Sequence, residues 1–260
     1  MTALKPGKKI YFISDCHFGV PSHEESLERE RLFIAWLEAV KNDAQEIYIM
    51  GDLFEFWFEY KTVIQRGYVR LLGKLAEITD SGIPVYFFRG NHDVWAFDYL
   101  SKELGFQIYP DTLIKEINGK IFFLGHGDGL GKGDNGYKFI KMIFRNRVNQ
   151  WLFRWLHPDI GTAMGLFWSN RSRIANENSG LEKVNQEGIN RLKAYCNKVL
   201  SKDADIDFFI FGHIHKPVAE NLNGKSIYYN VGDWIKYFSY LVFDGNHVEH
   251  QYFQNKNNRQ

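Results

Sequence analysis

A layered α/β domain with mixed sheets is the fold class this sequence predicts, on three observations. Short apolar runs alternate with helical patterns in the first half of the chain. Strand pairs joined by tight turns fill much of the second half. Between Gly129 and Gly180 the strand pattern stops and the chain reads as helical. At 260 residues the chain can bury a sizeable core in one large domain, or in a domain with an insertion.

In order, Ile10 to Ile13 reads as a strand. Ser22 to Val40 reads as a helix, with Leu27, Phe33, Ile34, Leu37 and Val40 on its apolar face and Glu24 and Glu25 suited to its N-terminus. Ile47 to Met50 is the next strand, followed by a helix from about Thr62 to Thr79 that stops near Ser81-Gly82. Pro84 opens the strand that leads through Val85 to Phe88 into Gly90, and a short helical segment covers Asp98 to Leu104. Asp111 to Ile117 and Lys120 to Leu124 form two strands about Asn118-Gly119. Phe208 to Phe211, Ser226 to Val231, Tyr237 to Phe243 and His247 to Phe253 read as strands, with turns at Asn223-Gly224 and Asp244-Gly245. The last residues, Gln254 to Gln260, are polar and expected to fray.

Hydrophobic content of 45% and charged content of 24% are those of an ordinary globular protein, and a formal net charge of +1 does not mark a nucleic-acid binder. Two cysteines, Cys16 and Cys196, make neither a disulfide framework nor a thiolate zinc cluster, and fit a reducing compartment. The N-terminus shows no apolar signal region, and no run approaches a membrane span. The expectation is a cytoplasmic protein that lies at most against a membrane. Charge is uneven: Leu130 to Gly180 carries +5 and the rest of the chain −4. That basic segment also holds Tyr137, Phe139, Phe144, Trp151, Phe153, Trp155, Phe167 and Trp168. Read alone, it fits an ordinary helical pair with aromatics inward equally well.

Five apolar strands run into polar, metal-capable loops: Asp15 and His17, Gly51-Asp52, Gly90-Asn91-His92-Asp93, Gly125-His126, and Gly212-His213-Ile214-His215. Any one of them alone is an ordinary turn, a helix cap or a hydrogen-bonded histidine. Five in one chain are hard to explain as independent caps. Loops at strand ends hold ligands at one edge of a sheet. Asp15, His17, Asp52, Asn91, His126, His213 and His215 offer only oxygen and nitrogen donors, which suit Mn, Fe or Zn. Seven donors are too many for one tetrahedral ion. They suit two ions sharing a carboxylate, a pair that can clamp a phosphate and activate a water.

The order and spacing of these blocks resemble the five-block signature of the calcineurin-like metallophosphoesterases, from about Ile10 to Phe243. The resemblance implies a four-layer α-β-β-α sandwich with a dinuclear centre. One metal would be held by Asp15, His17, Asp52 and His215, the other by Asp52, Asn91, His126 and His213, with Asp52 as the bridge. Mn2+ is the expected ion, with Fe or Zn as alternatives.

Gly51 to Trp57, Gly125 to Leu130, and Asp134 with Tyr137 are similar to the UDP-2,3-diacylglucosamine hydrolases of lipid A synthesis. That family implies a core of residues 1–128 and 181–253 with a helical lid at 129–180 that holds acyl chains. It implies substrate contacts from Asn91, Asp134 and Tyr137, and from Arg173, Asn176 and Lys183. It implies hydrolysis at the uridine-side phosphorus of a lipid-linked nucleotide diphosphate, at the inner membrane surface. No protein partner is evident. In this reading His92 protonates the leaving oxygen or holds the phosphate, Asp93 orients it, and Arg89 is a further phosphate contact. His92 stands where the better-known bacterial branch often has Arg.

Two other readings compete. A phosphodiesterase of the same superfamily could act on another nucleotide, a nucleic acid or another lipid. A nuclease calls for a basic track along its groove, whereas the excess charge here lies in a segment rich in Trp and Phe. A non-catalytic metal-binding scaffold would be marked by lost ligands, and none of the seven is missing.

Overall fold

The computed structural model describes residues 2–133, 135–178, 180–202 and 205–253, with side chains for all of these except 172–178. The chain opens β1 (Lys9–Ile13), α1 (His23–Val40), β2 (Ala44–Ile49), α2 (Val69–Asp80), β3 (Val85–Phe88), α3 (Tyr99–Leu104) and β4 (Gln107–Tyr109). A hairpin of β5 (Leu113–Ile117) and β6 (Lys120–Leu124) leads into α4 (Asn135–Arg145), α5 (Arg147–Phe153), α6 (Pro158–Asn178) and α7 (Leu181–Leu200). The chain closes with β7 (Phe208–Phe211), β8 (Val218–Asn221), β9 (Ile227–Asn230), β10 (Ser239–Phe243) and β11 (Val248–Tyr252).

Two mixed sheets result, ordered β11-β10-β1-β2-β3-β4 and β5-β6-β7-β9-β8. In the first, β1 to β4 are parallel, β10 runs antiparallel to β1 and β11 antiparallel to β10; in the second, β6, β7 and β9 are parallel and β5 and β8 antiparallel to their neighbours. Burial on both faces explains the unbroken apolar runs. Tyr11 and Ile13 of β1 pack with Phe33, Trp36 and Leu37 of α1, while Ile10 and Phe12 face the second sheet. Phe12 lies 6.0 Å from the Phe122 ring. The outer face of the second sheet packs Phe209, Phe211 and Tyr228 against Ile189, Leu192 and Cys196 of α7. Three stacked cores therefore separate four layers, α-β-β-α.

Four elements, α2, β4, β8 and α7, differ from expectation. α2 starts at Val69 rather than near Thr62, because Gly67 and Tyr68 adopt left-handed backbone and the Tyr68 hydroxyl bonds the Phe18 carbonyl at 3.1 Å. β4 and β8 are three and four residues long and left no readable pattern. α7 was not singled out; its buried stripe is Gly188, Ile189, Leu192 and Cys196. α3 takes its N-terminal cap from a distant acid: Glu59 accepts from the backbone nitrogens of Phe97, Asp98 and Tyr99 at 2.6, 2.7 and 3.0 Å. The expected frayed tail, 254–260, lies outside the described residues.

The segment 129–180 contributes α4, α5 and α6. No residue of α4 or α5 is buried. They rest on the core through Trp95, whose Nε1 donates to the Phe144 carbonyl at 2.8 Å, and through Phe153, 4.6 Å from the Phe58 ring. Among the described residues no helix is long and apolar enough to cross a membrane.

Candidate metal centre

The C-terminal ends of β1, β2 and β3 carry Asp15 and His17, Asp52, and Asn91; those of β6 and β7 carry His126, and His213 and His215. Strand ends in a parallel arrangement deliver these loops to a common edge. The backbone there is tightly bent. Of eight described non-glycine residues with positive φ, five are Asp15, His17, Asp52, His213 and His215. Such conformations cost about 1–3 kcal/mol each and persist where the surroundings over-determine them. Buried Arg29 of α1 braces the first loop, donating to the carbonyls of Cys16, His17 and Val20. Two glycines make the convergence possible. A Cβ at Gly90 would lie 2.1 Å from Asp52 Oδ1, and one at Gly212 would lie 1.9 Å from Ser14 Oγ.

The donor atoms gather in clusters whose members lie within 4.8 Å of one another: Asp15, His17 and His215; Asp52, His126 and His213; and His17, Glu55 and His92. Asp52 Oδ2 stands 3.6 Å from His17 Nε2 and 3.2 Å from His126 Nε2, between the first two groups. Asn91 Oδ1 lies 3.2 Å from His126 Nε2. His215 Nε2 is 3.4 Å from Asp15 Oδ1, and its Nδ1 is 3.7 Å from Asp233.

Whether this set fits divalent ions is tested by its unmet bonding. Asp15 Oδ1 and His17 Nε2 are buried without a hydrogen-bond partner, a costly condition for polar atoms that an ion between them would relieve. His126 is turned the same way: its Nδ1 is bonded to the Met50 carbonyl at 2.8 Å, which leaves Nε2 to the cluster. Electrostatics agree. Burial alone would lower the proton affinity of His17, but Asp15, Glu55 and Asp52 push its pKa up to about 10. His126 is likewise raised to about 10 against burial, chiefly by Asp52. Burial would raise Asp15 and Asp52, yet the surrounding histidines hold both carboxyls below their usual range. Burial and His126 lower His213 to about 4. In the metal-free protein, protons on His17 and His126 balance the carboxylates, and the residues present fit two divalent cations in their place.

Other expected site residues are placed as follows. The Asp93 carboxylate accepts from the backbone nitrogens of Leu53 at 2.8 Å and Gly90 at 2.7 Å. It braces two of the ligand loops; the His92 ring is oriented by Glu55 and Ser169 instead. Burial, and then Asp52, raise the Asp93 carboxyl. The Arg89 guanidinium turns toward the Phe97 carbonyl, 3.5 Å away, and does not line the cavity described below. Tyr137 is brought to the site: its hydroxyl donates to Asp128, and its ring is 6.4 Å from His213. Lys183 is exposed in the first turn of α7. Asp134 and the side chains of Arg173 and Asn176 lie outside the described residues.

Sequence reasoning did not single out Glu55, Ser169, Lys141 or Asp233. Glu55 stands three positions past Asp52, a local signal that was readable. Ser169 and Lys141 reach the site from helices, with no motif to mark them. Lys141 pairs with Asp128 at 2.6 Å. Beside the cluster a cavity of about 300 Å³ opens between the core and the helical segment. Asn91 and His92 stand at its polar side, and Phe56, Trp95, Phe144 and Trp168 wall it.

The chain belongs to the calcineurin-like phosphoesterase family, which it matches over residues 8–217. It is 38% identical over 248 residues to the UDP-2,3-diacylglucosamine hydrolase of Porphyromonas gingivalis (strain ATCC BAA-308 / W83), covering 91% of this chain and 94% of that one. It is 31% identical over 242 residues to the enzyme of the same name from Haemophilus influenzae (strain PittGG), covering 91% and 95%.

Proposed function

We propose that this protein hydrolyses the diphosphate of UDP-2,3-diacylglucosamine to UMP and 2,3-diacylglucosamine 1-phosphate, a step of lipid A biosynthesis. The observation that carries the reading is the juxtaposition of an Asp/His cluster with an apolar cavity, in a chain similar over nine-tenths of its length to hydrolases of that name. A phosphatase for small soluble esters has no use for a chamber walled by Phe56, Trp95, Phe144 and Trp168. A diphosphate that carries acyl chains does.

In this reading Asp15, His17, Asp52 and His215 hold one divalent ion, and Asp52, Asn91, His126 and His213 the other, with Mn2+ as the working metal. The ions supply charge to neutralise the phosphoryl oxygens and to activate a water. The chain's part is to fix them: Glu55 and the Met50 carbonyl engage the Nδ1 atoms of His17 and His126 and so present both Nε2 atoms. The His92 Nδ1 is bonded to the Glu55 carbonyl at 2.8 Å, which leaves Nε2 for a phosphoryl oxygen. Burial lowers the proton affinity of His92, and the anionic diphosphate restores it. Tyr137 is held by Asp128 for the glucosamine side, while Asp134, Arg173, Asn176 and Lys183 serve the sugar and phosphates.

Residues 129–180 act as the lid over the acyl chains. Their outer surface presents Trp155 (75% exposed), Phe139 (59%) and Trp151 (56%) in a basic segment. That combination favours contact with an anionic membrane face, here the cytoplasmic side of the inner membrane. The test is UMP release from UDP-2,3-diacylglucosamine in detergent with Mn2+, beside a generic phosphodiester. Preference for the lipid substrate is the expected result; equal rates on both, or no UMP, refute it.

A further inference from the structure

Glu55 is a buried carboxylate, 1% exposed, and a carboxylate taken out of water needs donors for its lone pairs. It draws them from two distant parts of the chain. His17 Nδ1 bonds Oε2 at 2.8 Å, and the Ser169 hydroxyl of α6 donates to Oε1 across 114 positions of sequence. We propose that Glu55 is a positioning residue that couples α6 to the metal centre: one oxygen fixes the His17 imidazole, and the other is secured by Ser169.

The consequence of the first bond is chemical. With Nδ1 bonded to a carboxylate, Nε2 is the His17 atom that gives up its proton to take an ion. That atom has no hydrogen-bond partner and stands 3.8 Å from Asp15 and 3.6 Å from Asp52. A carboxylate behind a ligand imidazole fixes its orientation and increases its basicity.

The second bond makes this depend on the helix. Ser169 Oγ donates to Glu55 and also lies 3.3 Å from His92 Nδ1, the atom bonded to the Glu55 carbonyl. One hydroxyl therefore completes the surroundings of two imidazoles. If α6 lifts away, Glu55 loses a donor and His92 an acceptor. The helix is shaped for close approach to this loop: a Cβ at Gly165, one turn before Ser169, would lie 2.3 Å from the Phe56 ring. Because coupling between sites is reciprocal, an ion at His17 stabilises the seated helix as much as the seated helix stabilises the ion. The tie between α4 and Asp128, through Tyr137 and Lys141, includes neither His17 nor His92 and provides the control.

The inference rests on His17 holding an ion, as proposed above. It is tested on the full chain by Mn2+ titration calorimetry and by hydrogen exchange of peptides within 158–171, with and without Mn2+. In the wild type Mn2+ slows exchange in α6. Ser169→Ala weakens Mn2+ binding by about tenfold or more and abolishes the Mn2+-dependent protection, Glu55→Gln does the same, and Ser169→Thr restores both. Lys141→Met retains the Mn2+-dependent protection of α6. Ser169→Ala protein with wild-type affinity and undiminished protection overturns the coupling, as does Lys141→Met protein that loses both equally. A wild-type chain that takes up no Mn2+ overturns the metal assignment, and the coupling with it.

Discussion

Phe12 of β1 and Phe139 of α4 are the same side chain in opposite surroundings. The first is fully buried between the two sheets; the second is 59% exposed on the helical segment. The contrast extends to whole elements. Every residue of β3, β7 and β10 is buried, and none of α4 or α5 is. A core so packed fixes its loops, and can hold five candidate ligands in left-handed backbone. The helices over it are held by scattered ties, among them Trp95 to Phe144, Phe58 to Phe153, Asp111 to Arg145, Asp128 to Tyr137 and Lys141, and Glu55 to Ser169. The candidate ligands thus stand on the most deeply packed part of the molecule, and the helices over them expose apolar surface.

The sharpest break of this comparison is at the bridge position. Asp52→Ala lowers UMP release by about a thousandfold or more, several kcal/mol in the barrier, and removes Mn2+ loading measured by elemental analysis. Retained turnover would refute a dinuclear centre. Next in size is stability. Leu241→Ala, in the core between the sheets, costs about 2–5 kcal/mol in denaturant unfolding. Trp155→Ala, on the exposed face of the helical segment, stays within about 0.5 kcal/mol. Similar costs at the two sites would erase the distinction drawn here. Replacing Trp151 and Trp155 together with Ser reduces binding to anionic vesicles by about tenfold, read by co-sedimentation. Unchanged binding would refute the membrane contact proposed for this surface.

The smallest effect concerns protons. His17 and His126 are raised to about 10 in the metal-free protein, so both are protonated at pH 7 and must release their protons to bind an ion. Loading at pH 7 therefore releases about two protons, read as buffer-dependent enthalpy, and affinity rises with pH. The sign for stability is opposite in the metal-free form. A folded pKa above the unfolded value of 6.5 contributes stability that is fully present below pH 6.5 and is lost as pH rises toward 10. The thermal midpoint of the metal-free protein falls across that range, and the gain on adding Mn2+ grows. A flat profile would contradict the charge state assigned to these histidines.

The layered fold and the metal cluster were legible because both are written locally. Runs such as Val85 to Phe88 are apolar throughout because both sheet faces are buried, and each candidate ligand follows its strand within a few residues. What escaped depends on distance or on backbone shape. No local pattern connects Glu55 with Ser169, or Glu59 with the N-terminus of α3. The start of α2 is set by left-handed Tyr68, which periodicity does not encode. α7 was obscured by Gly188, a poor helix former, which lets the helix approach Ile214; a Cβ there would lie 2.4 Å from its side chain. Asp93 looked catalytic from its neighbours, and only the structure shows its carboxylate on the backbone of Leu53 and Gly90.

The central claim is that water attacks the uridine-side phosphorus of a lipid-linked diphosphate at this cluster. It is tested most directly by running the reaction with UDP-2,3-diacylglucosamine and Mn2+ in heavy-oxygen water, followed by mass spectrometry of both products. The account predicts one heavy oxygen in UMP and none in 2,3-diacylglucosamine 1-phosphate. Label in the lipid product, or no UMP at all, would contradict it.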